Sequence, residues 1–196
     1  MSLPVMLLMI GFAYILIWGG LTSLRREVLS LRFALESIAV TLVFSGLAAW
    51  TTFQPHPVLF LLVLYLLTMR VRLLVDIGTT FARSGRLSQA EYVYQLAAHL
   101  WPDQTGLLVL QVNRGTALMQ AGKPDEAIAM LKGVLEKSEQ GYLGVKYEAA
   151  AHYNLGVAYL RKDRNAQAVS EFNAALDIWP ASEYARRATA ALENIL

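Results

Sequence analysis

The sequence predicts an all-α protein: N-terminal transmembrane helices, then an α-solenoid of three helix pairs, then a C-terminal capping helix. Three observations predict it. Charge is segregated, because Arg25, Arg26, Glu27, Arg32 and Glu36 are the only charged residues in 1–69 and all others lie in 70–196. Apolar runs of bilayer length fill that charge-poor third. One spacing of small and large apolar residues recurs three times in the remainder. The 196 residues are 56% hydrophobic and only 16% charged, whereas soluble domains average about 45–50% apolar and about 25% charged. Mean hydropathy is +0.41. Intrinsic disorder is therefore excluded for most of the chain. A net charge of +2 gives no electrostatic case for nucleic acid. The absence of cysteine excludes disulfides, zinc-thiolate sites, iron–sulfur clusters and cysteine nucleophiles.

Residues 1–69 read as a membrane domain, with spans at about 3–21, 34–53 and 57–75. Leu3 to Leu21 carries no charge, and a helix of that length covers about 30 Å, a bilayer core. A secretory leader is the alternative, but the basic n-region and a small-x-small cleavage site are missing. Ser23 to Arg32 places Leu24, Val28 and Leu31 on one helical face. That fits either a short helix in the interface or an extension of the first span. The second span runs from Ile38 to Phe53, reaching back towards Phe33 if Glu36 faces protein or head groups. Gln54-Pro55-His56-Pro57 is a turn that no helix can cross. Val58 to Met69 rises only about 18 Å as a helix. It crosses if it continues to Val75 with Arg70 and Arg72 snorkelling; a shallow hairpin is the alternative. No proline interrupts Val58 to Ser84, and its one glycine, Gly78, falls at the mid-helix site of the repeat pattern described below, so one continuous helix is expected, carrying the third span into the soluble domain. With three crossings, Arg25, Arg26 and Arg32 share a side with Arg70 and Arg72. The positive-inside rule makes that side cytoplasmic, or its stromal equivalent, with the N-terminus outside.

The repeat lies in 70–196. Residues 152–180 read His152-x2-Leu155-Gly156-x2-Tyr159, then Ala168-x3-Phe172, Ala175 and Pro180. Residues 74–102 read Leu74-x2-Ile77-Gly78-x2-Phe81, then Ala90-x3-Tyr94, Ala97 and Pro102. A third copy reads Gln111-x2-Arg114-Gly115-x2-Leu118, then Ala127-x3-Leu131 and Val134. A mid-helix glycine costs about 1 kcal/mol relative to alanine, which makes sense only where another helix packs too close for a side chain. Gly85 and Gly122 end the first helices of their pairs, as a C′ glycine does; Asp163-Arg164-Asn165 stands there in the last copy. Trp101 and Trp179 precede the terminating prolines and read as packing, while Trp18 and Trp50 fit interfacial anchors.

These residues resemble the tetratricopeptide repeat (TPR) family, whose pattern is W-x2-L-G-x2-Y, A-x3-F and P over about 34 residues. The last copy departs only at His152, and the middle one has Arg114 at the usual leucine site. The resemblance implies three TPR helix pairs at about 71–104, 108–141 and 149–182. A capping helix follows over 182–195, begun by Ser182 and burying Ala185, Ala188 and Leu192. The alanines at 90, 127 and 168 stand further apart than one unit, so connectors separate the pairs. The longer holds Gly141-Tyr142-Leu143-Gly144, a plain connector or a contact loop.

The resemblance further implies a protein or peptide partner held on a concave face. That face would include Val75, Thr79, Arg83, Val112, Asn113, Thr116, Met119, Gln120, Tyr153, Val157, Leu160 and Arg161. Of the residues with which one TPR subclass grips chaperone C-termini, Asn113 alone matches, so that mode is not expected. The layout is similar to membrane-anchored TPR proteins of photosystem I assembly, and to the TPR subunit of bacterial cytochrome c maturation. It implies an adaptor or scaffold that helps assemble or stabilise a membrane protein complex, or a permanent structural subunit of one. The expected partners are a protein client, membrane-complex subunits and the lipid bilayer, and no nucleic acid. No catalytic constellation, metal site or cofactor motif is evident. None of the three histidines stands at ligand spacing from a carboxylate, and HExxH, phosphate-loop and nucleophile-elbow patterns are absent.

Overall fold

The structure, a computed structural model, describes residues 2–28 and 30–195. Among these are ten helices and no strand. In order they are α1 (Leu3–Leu24), α2 (Leu31–Trp50), α3 (Pro57–Thr68), α4 (Arg70–Arg83), α5 (Leu87–His99), α6 (Gln104–Gln120), α7 (Pro124–Ser138), α8 (Val145–Leu160), α9 (Asn165–Ile178) and α10 (Glu183–Glu193). They form two compact units. One holds Met1–Arg25 and Leu29–Arg70, the other Arg26–Val28 and Val71–Leu196.

The first unit buries both large apolar residues, Leu7, Phe60 and Leu64, and small hydroxylated ones. The buried face of α2 is Phe33, Ser37, Thr41, Ser45 and Ala48, one residue per turn. Opposite it, Gly11 of α1 lies so close that a Cβ there would come within 2.2 Å of Thr41 Oγ1. The hydroxyls are satisfied locally: Ser37 Oγ donates to Phe33 O, Thr41 Oγ1 to Ser37 O, and Ser45 Oγ to Pro4 O across the helices. The Tyr14 hydroxyl lies 2.7 Å from Thr68 Oγ1, tying α1 to α3. Phe12, Leu16, Ile17, Leu42 and Val43 point outward. Small and hydroxylated residues at a helix contact, as where Gly11 meets Thr41, with large apolar ones facing outward, is how helices pack in lipid. By length and composition α1 and α2 can each cross a membrane, whereas α3 reaches that length only together with α4, across a break.

That break overturns the expected continuous helix and the unbroken third span over 57–75. The helix stops at Met69 (φ −102°, ψ 8°) without glycine or proline. The stop comes from side chains. Arg70 donates to Leu67 O and, through two nitrogens, to both carboxylate oxygens of Glu36, which also accepts from Arg32. The guanidinium thus serves a carbonyl that the next helical turn would have served. The expected helix over 23–32 is also absent among the described residues. α1 ends at Leu24, Arg26 adopts φ 56°, and Glu27 and Val28 are not helical. The second span ends at Trp50 rather than Phe53, and the Thr51 hydroxyl donates to Leu47 O.

In the second unit each helix pair repeats one contact. The ring of Tyr94 covers Gly78, the side chain of Leu131 covers Gly115, and the ring of Phe172 covers Gly156. A Cβ on the three glycines would come within 2.6, 2.9 and 2.7 Å of those side chains. Ala90, Ala127 and Ala168, all fully buried, open the second helices beside them. The turns also repeat. Arg86 N bonds to Phe81 O, Lys123 N to Leu118 O and Arg164 N to Tyr159 O, the long bond of a Schellman motif. The left-handed position within the turn is taken by Gly85, Gly122 and Asp163. The second and third pairs begin earlier than the expected bounds of 108 and 149: α8 starts at Val145 and α6 at Gln104, where the Asp103 carboxylate accepts from Gly106 N. Two departures from the family pattern are paired. Arg114, at the leucine site, forms a two-pronged ion pair with Glu91 of α5. His152, at the tryptophan site, lies 2.7 Å from Glu171 Oε2, so this histidine does meet a carboxylate, across the hairpin. Trp101 does not pack as expected: it is 77% exposed, in a left-handed backbone position, while Trp179 is half-buried. Ser182 caps α10 through Ala185 N.

Candidate functional site

The first helices of successive pairs run side by side in the same direction. Near their N-terminal ends, Gly106 of α6 lies beside Val71 of α4. At their C-terminal ends, the Arg161 guanidinium donates to Met119 O. α10 packs on α8 and α9, taking the place that the first helix of a fourth pair would take. A concave wall of α4, α6, α8 and α10 results.

A repeated rung fixes this wall. The residue after the conserved-pattern glycine is Thr79 in α4 and Thr116 in α6, and the residue two before it is Asn113 in α6 and Asn154 in α8. Thr79 Oγ1 lies 3.2 Å from Asn113 Oδ1, and Asn154 Nδ2 donates to Thr116 Oγ1 at 2.9 Å. Asn113 Nδ2 in turn donates to Val109 O. α4 is thereby registered against α6, and α6 against α8, by a polar contact in the floor of the groove.

The wall encloses a cavity of about 470 Å³. Of the residues expected on the concave face, the structure brings Thr79, Arg83, Val112, Asn113, Thr116, Gln120 and Tyr153 together around it. It does not bring the others there. Val75 and Met119 are core residues, each 4% exposed. Val157 and Leu160 pack against the same core, and Arg161 is exposed at the end of α8. Sequence reasoning missed Tyr147, Asn154, Glu183, Tyr184 and Arg187. The first two lie one helical turn either side of Ala150 on the wall face of α8. The others come from α10, and the signal for them was the repeat itself: Ser182 opens a helix where a fourth pair would begin.

The lining is polar and mixed in charge. Arg187 pairs with Glu183, whereas Arg83 has no hydrogen bond or ion pair among the described residues. Burial pushes the Tyr147, Tyr184 and Tyr94 hydroxyls above the ordinary tyrosine value, reinforced by Glu27 for Tyr147 and by Glu183 for Tyr184. All three remain neutral donors near pH 7. Among the described residues no group of three or more His, Asp or Glu side chains could hold a metal ion.

At the N-terminal end of the wall sits the segment Arg26–Val28. Glu27 is nearly buried. Its Oε2 accepts from Arg72 Nη1 of α4 and its Oε1 from Lys146 Nζ of α8, both at 2.7 Å. Burial alone would raise the carboxyl pKa, but those two hydrogen bonds and charges outweigh it and hold the group below its ordinary value. Gly144 admits the segment: a Cβ there would come within 2.7 Å of Arg26 O and 2.8 Å of Glu27 Cα. Of the two readings left open for the 141–144 connector, the structure favours the contact loop.

Comparison with known proteins agrees with this geometry. Residues 112–183 match a family model described as tetratricopeptide repeat. No curated protein and no solved structure matches the chain. The matched stretch runs from within α6 to the start of α10, and the α4–α5 pair outside it repeats the same glycine contact and the same turn. The matched stretch, from within α6 to the start of α10, thus carries tetratricopeptide repeats.

Proposed function

We propose that this protein is a membrane-anchored scaffold that holds a segment of a protein partner in the groove walled by α4, α6, α8 and α10. The observation that carries the proposal is the cavity of about 470 Å³ on helices already registered by the Thr79–Asn113 and Thr116–Asn154 rungs. A preformed, polar-lined concavity binds without a large ordering cost. TPR domains are interaction modules, and this one offers the unpaired cation Arg83 and neutral tyrosine hydroxyls rather than a charge relay. The apolar helices α1 and α2 would anchor it in lipid. A scaffold anchored beside its clients suits the assembly or stabilisation of a membrane protein complex.

The sidedness follows from the same reading. Arg26–Val28, between α1 and α2, belongs to the compact unit that holds the repeats, so that connection and the repeats share one side of the bilayer. If α1 and α2 both cross, the chain must return through α3. The Glu36–Arg70 pair, which brings the end of α3 to the beginning of α2, supports this. Arg25, Arg26, Arg32, Arg70 and Arg72 then gather on the repeat side, which the positive-inside rule makes cytoplasmic.

Affinity capture of the full chain in mild detergent tests the groove. The comparison is Arg83→Glu/Gln120→Glu, two exposed positions whose change leaves the core intact. Partners held by the wild type and lost from the variant support the scaffold reading. Partners held equally by both would place docking elsewhere, as for a permanent subunit bound through its spans. Impermeant labelling of His56→Cys but not Lys123→Cys in intact cells is the expected topology result, and the reverse pattern would overturn it.

A further inference from the structure

The groove has two ends, and they differ. On α4 the residues Arg72, Asp76, Thr79 and Arg83 recur at helical spacing, so they form one stripe along the wall. On α8 the same holds for Lys146, Ala150 and Tyr153 with Asn154. Glu27 joins the two stripes at their N-terminal ends, through Arg72 on one side and Lys146 on the other. Next to Lys146, Tyr147 lines the cavity. At the opposite ends lie Arg83 and Gln120, both exposed, and no segment spans them among the described residues.

We propose that Arg26–Val28 is an internal ligand of the repeat domain. It is a short non-helical strap, anchored by the Glu27 carboxylate, that sits at the foot of the wall, ties its first and third helices together, and so sets how far the groove opens. α4 and α8 are not neighbours in the stack; α6 lies between them and meets each through a polar rung. A carboxylate shared by α4 and α8 restrains their splay directly. Stacked repeats otherwise have only nearest-neighbour interfaces to resist such bending. The slot has the features of a peptide site: a glycine that admits backbone, two cations for one carboxylate, and near-complete burial of the acid. A partner would then enter from the Arg83 and Gln120 end and meet the strap, rather than pass through. That consequence rests on the groove reading, but the strap and its test do not.

The chain has no cysteine, so a spin-label pair can be placed cleanly. Ser84→Cys/Lys162→Cys puts one label just beyond α4 and one just beyond α8, at the open end. Measured by electron–electron dipolar spectroscopy on the full chain in detergent, without partner, this parent should give one narrow distance distribution. Glu27→Gln, which removes the shared charge, should broaden it towards longer distances. So should Gly144→Val, which expels the strap sterically. Lys132→Gln on α7 should leave it unchanged. The parental distribution in both release variants would overturn the proposal. Circular dichroism identifies any variant that has lost helix, and Glu27→Gln alone carries the test if Gly144→Val misfolds. Because no partner is present, failure here leaves the groove reading standing, and failed capture of a partner leaves the strap standing.

Discussion

The apolar N-terminal unit and the repeat unit solve one packing problem with different chemistry. Both bring two helices together by deleting a side chain: Gly11 under Thr41 in the first, and Gly78, Gly115 and Gly156 under Tyr94, Leu131 and Phe172 in the second. The buried partners differ. In the repeats they are large and apolar, because water is the solvent and removing their surface from it drives folding. Between α1 and α2 they are serine and threonine, whose hydroxyls close onto nearby carbonyls. On the proposed membrane reading the solvent there is hydrocarbon, and only close contact and hydrogen bonds remain to be gained. The same loss of a side chain thus serves two different kinds of helix contact.

The largest expected effect tests that contrast directly. Phe172 is fully buried, and Phe172→Ala should destabilise the repeat unit by about 3–5 kcal/mol. Ser45→Ala, which removes the inter-helix bond to Pro4 O, should cost only about 0.6 kcal/mol. Hydrogen exchange resolved by peptide would read the two units separately. Comparable losses at both sites would break the comparison, since they would mean that α1–α3 hold together as a water-soluble core does.

A smaller effect belongs to the strap. Glu27→Gln leaves Arg72 and Lys146 facing each other without their carboxylate and should cost about 2 kcal/mol at pH 7. The sign of its pH dependence is fixed. The folded-state pKa of Glu27 is lowered by Arg72 and Lys146, so its contribution is fully present above the ordinary carboxylate pKa. It is lost as pH falls through the lower folded value. Asp76 and Tyr147 are the other ionisable groups around the cluster, and Tyr147 stays neutral throughout that range. Thermal unfolding from pH 7 down to pH 3 should therefore show wild type and Glu27→Gln converging. A constant gap would mean that the loss is one of packing rather than of charge.

What could be read from sequence divides along the same line. The repeat class was legible because glycine at one offset from a large residue has a single steric meaning, and that meaning survived in three copies. Helix ends set by side chains were not legible. Met69 carries no signal of its own; the stop depends on Arg70 finding Glu36 and Leu67 O, a long-range arrangement that local propensity cannot see. Glu27 likewise looked like one polar residue of an amphipathic stretch, because its partners stand far along the chain at Arg72 and Lys146. Within the groove, register around the glycines located Thr79, Asn113 and Thr116. It misplaced Val75 and Met119, whose positions on the first helices face the core rather than the concave side. Tyr184 and Arg187 were missed because a capping helix was read as a cover, not as a fourth wall.

The smallest effect is a gain. The three Schellman turns superpose in their hydrogen bonds, yet two place glycine in the left-handed position and the third places Asp163 there at φ 56°. An L-residue with a Cβ pays about 1 kcal/mol for that conformation, and glycine does not. Asp163 is exposed, and its side chain makes no hydrogen bond or ion pair among the described residues. Asp163→Gly therefore removes strain without removing a contact. Part of the gain is returned, because glycine also loosens the unfolded chain. A net stabilisation of about 0.5 kcal/mol is expected, with Gly122→Asp as the reciprocal change at the middle turn. Equal and opposite shifts in unfolding midpoint would show the turns to be interchangeable. A loss on Asp163→Gly would instead assign the aspartate a contact of its own at the open end of the groove, beside Arg161.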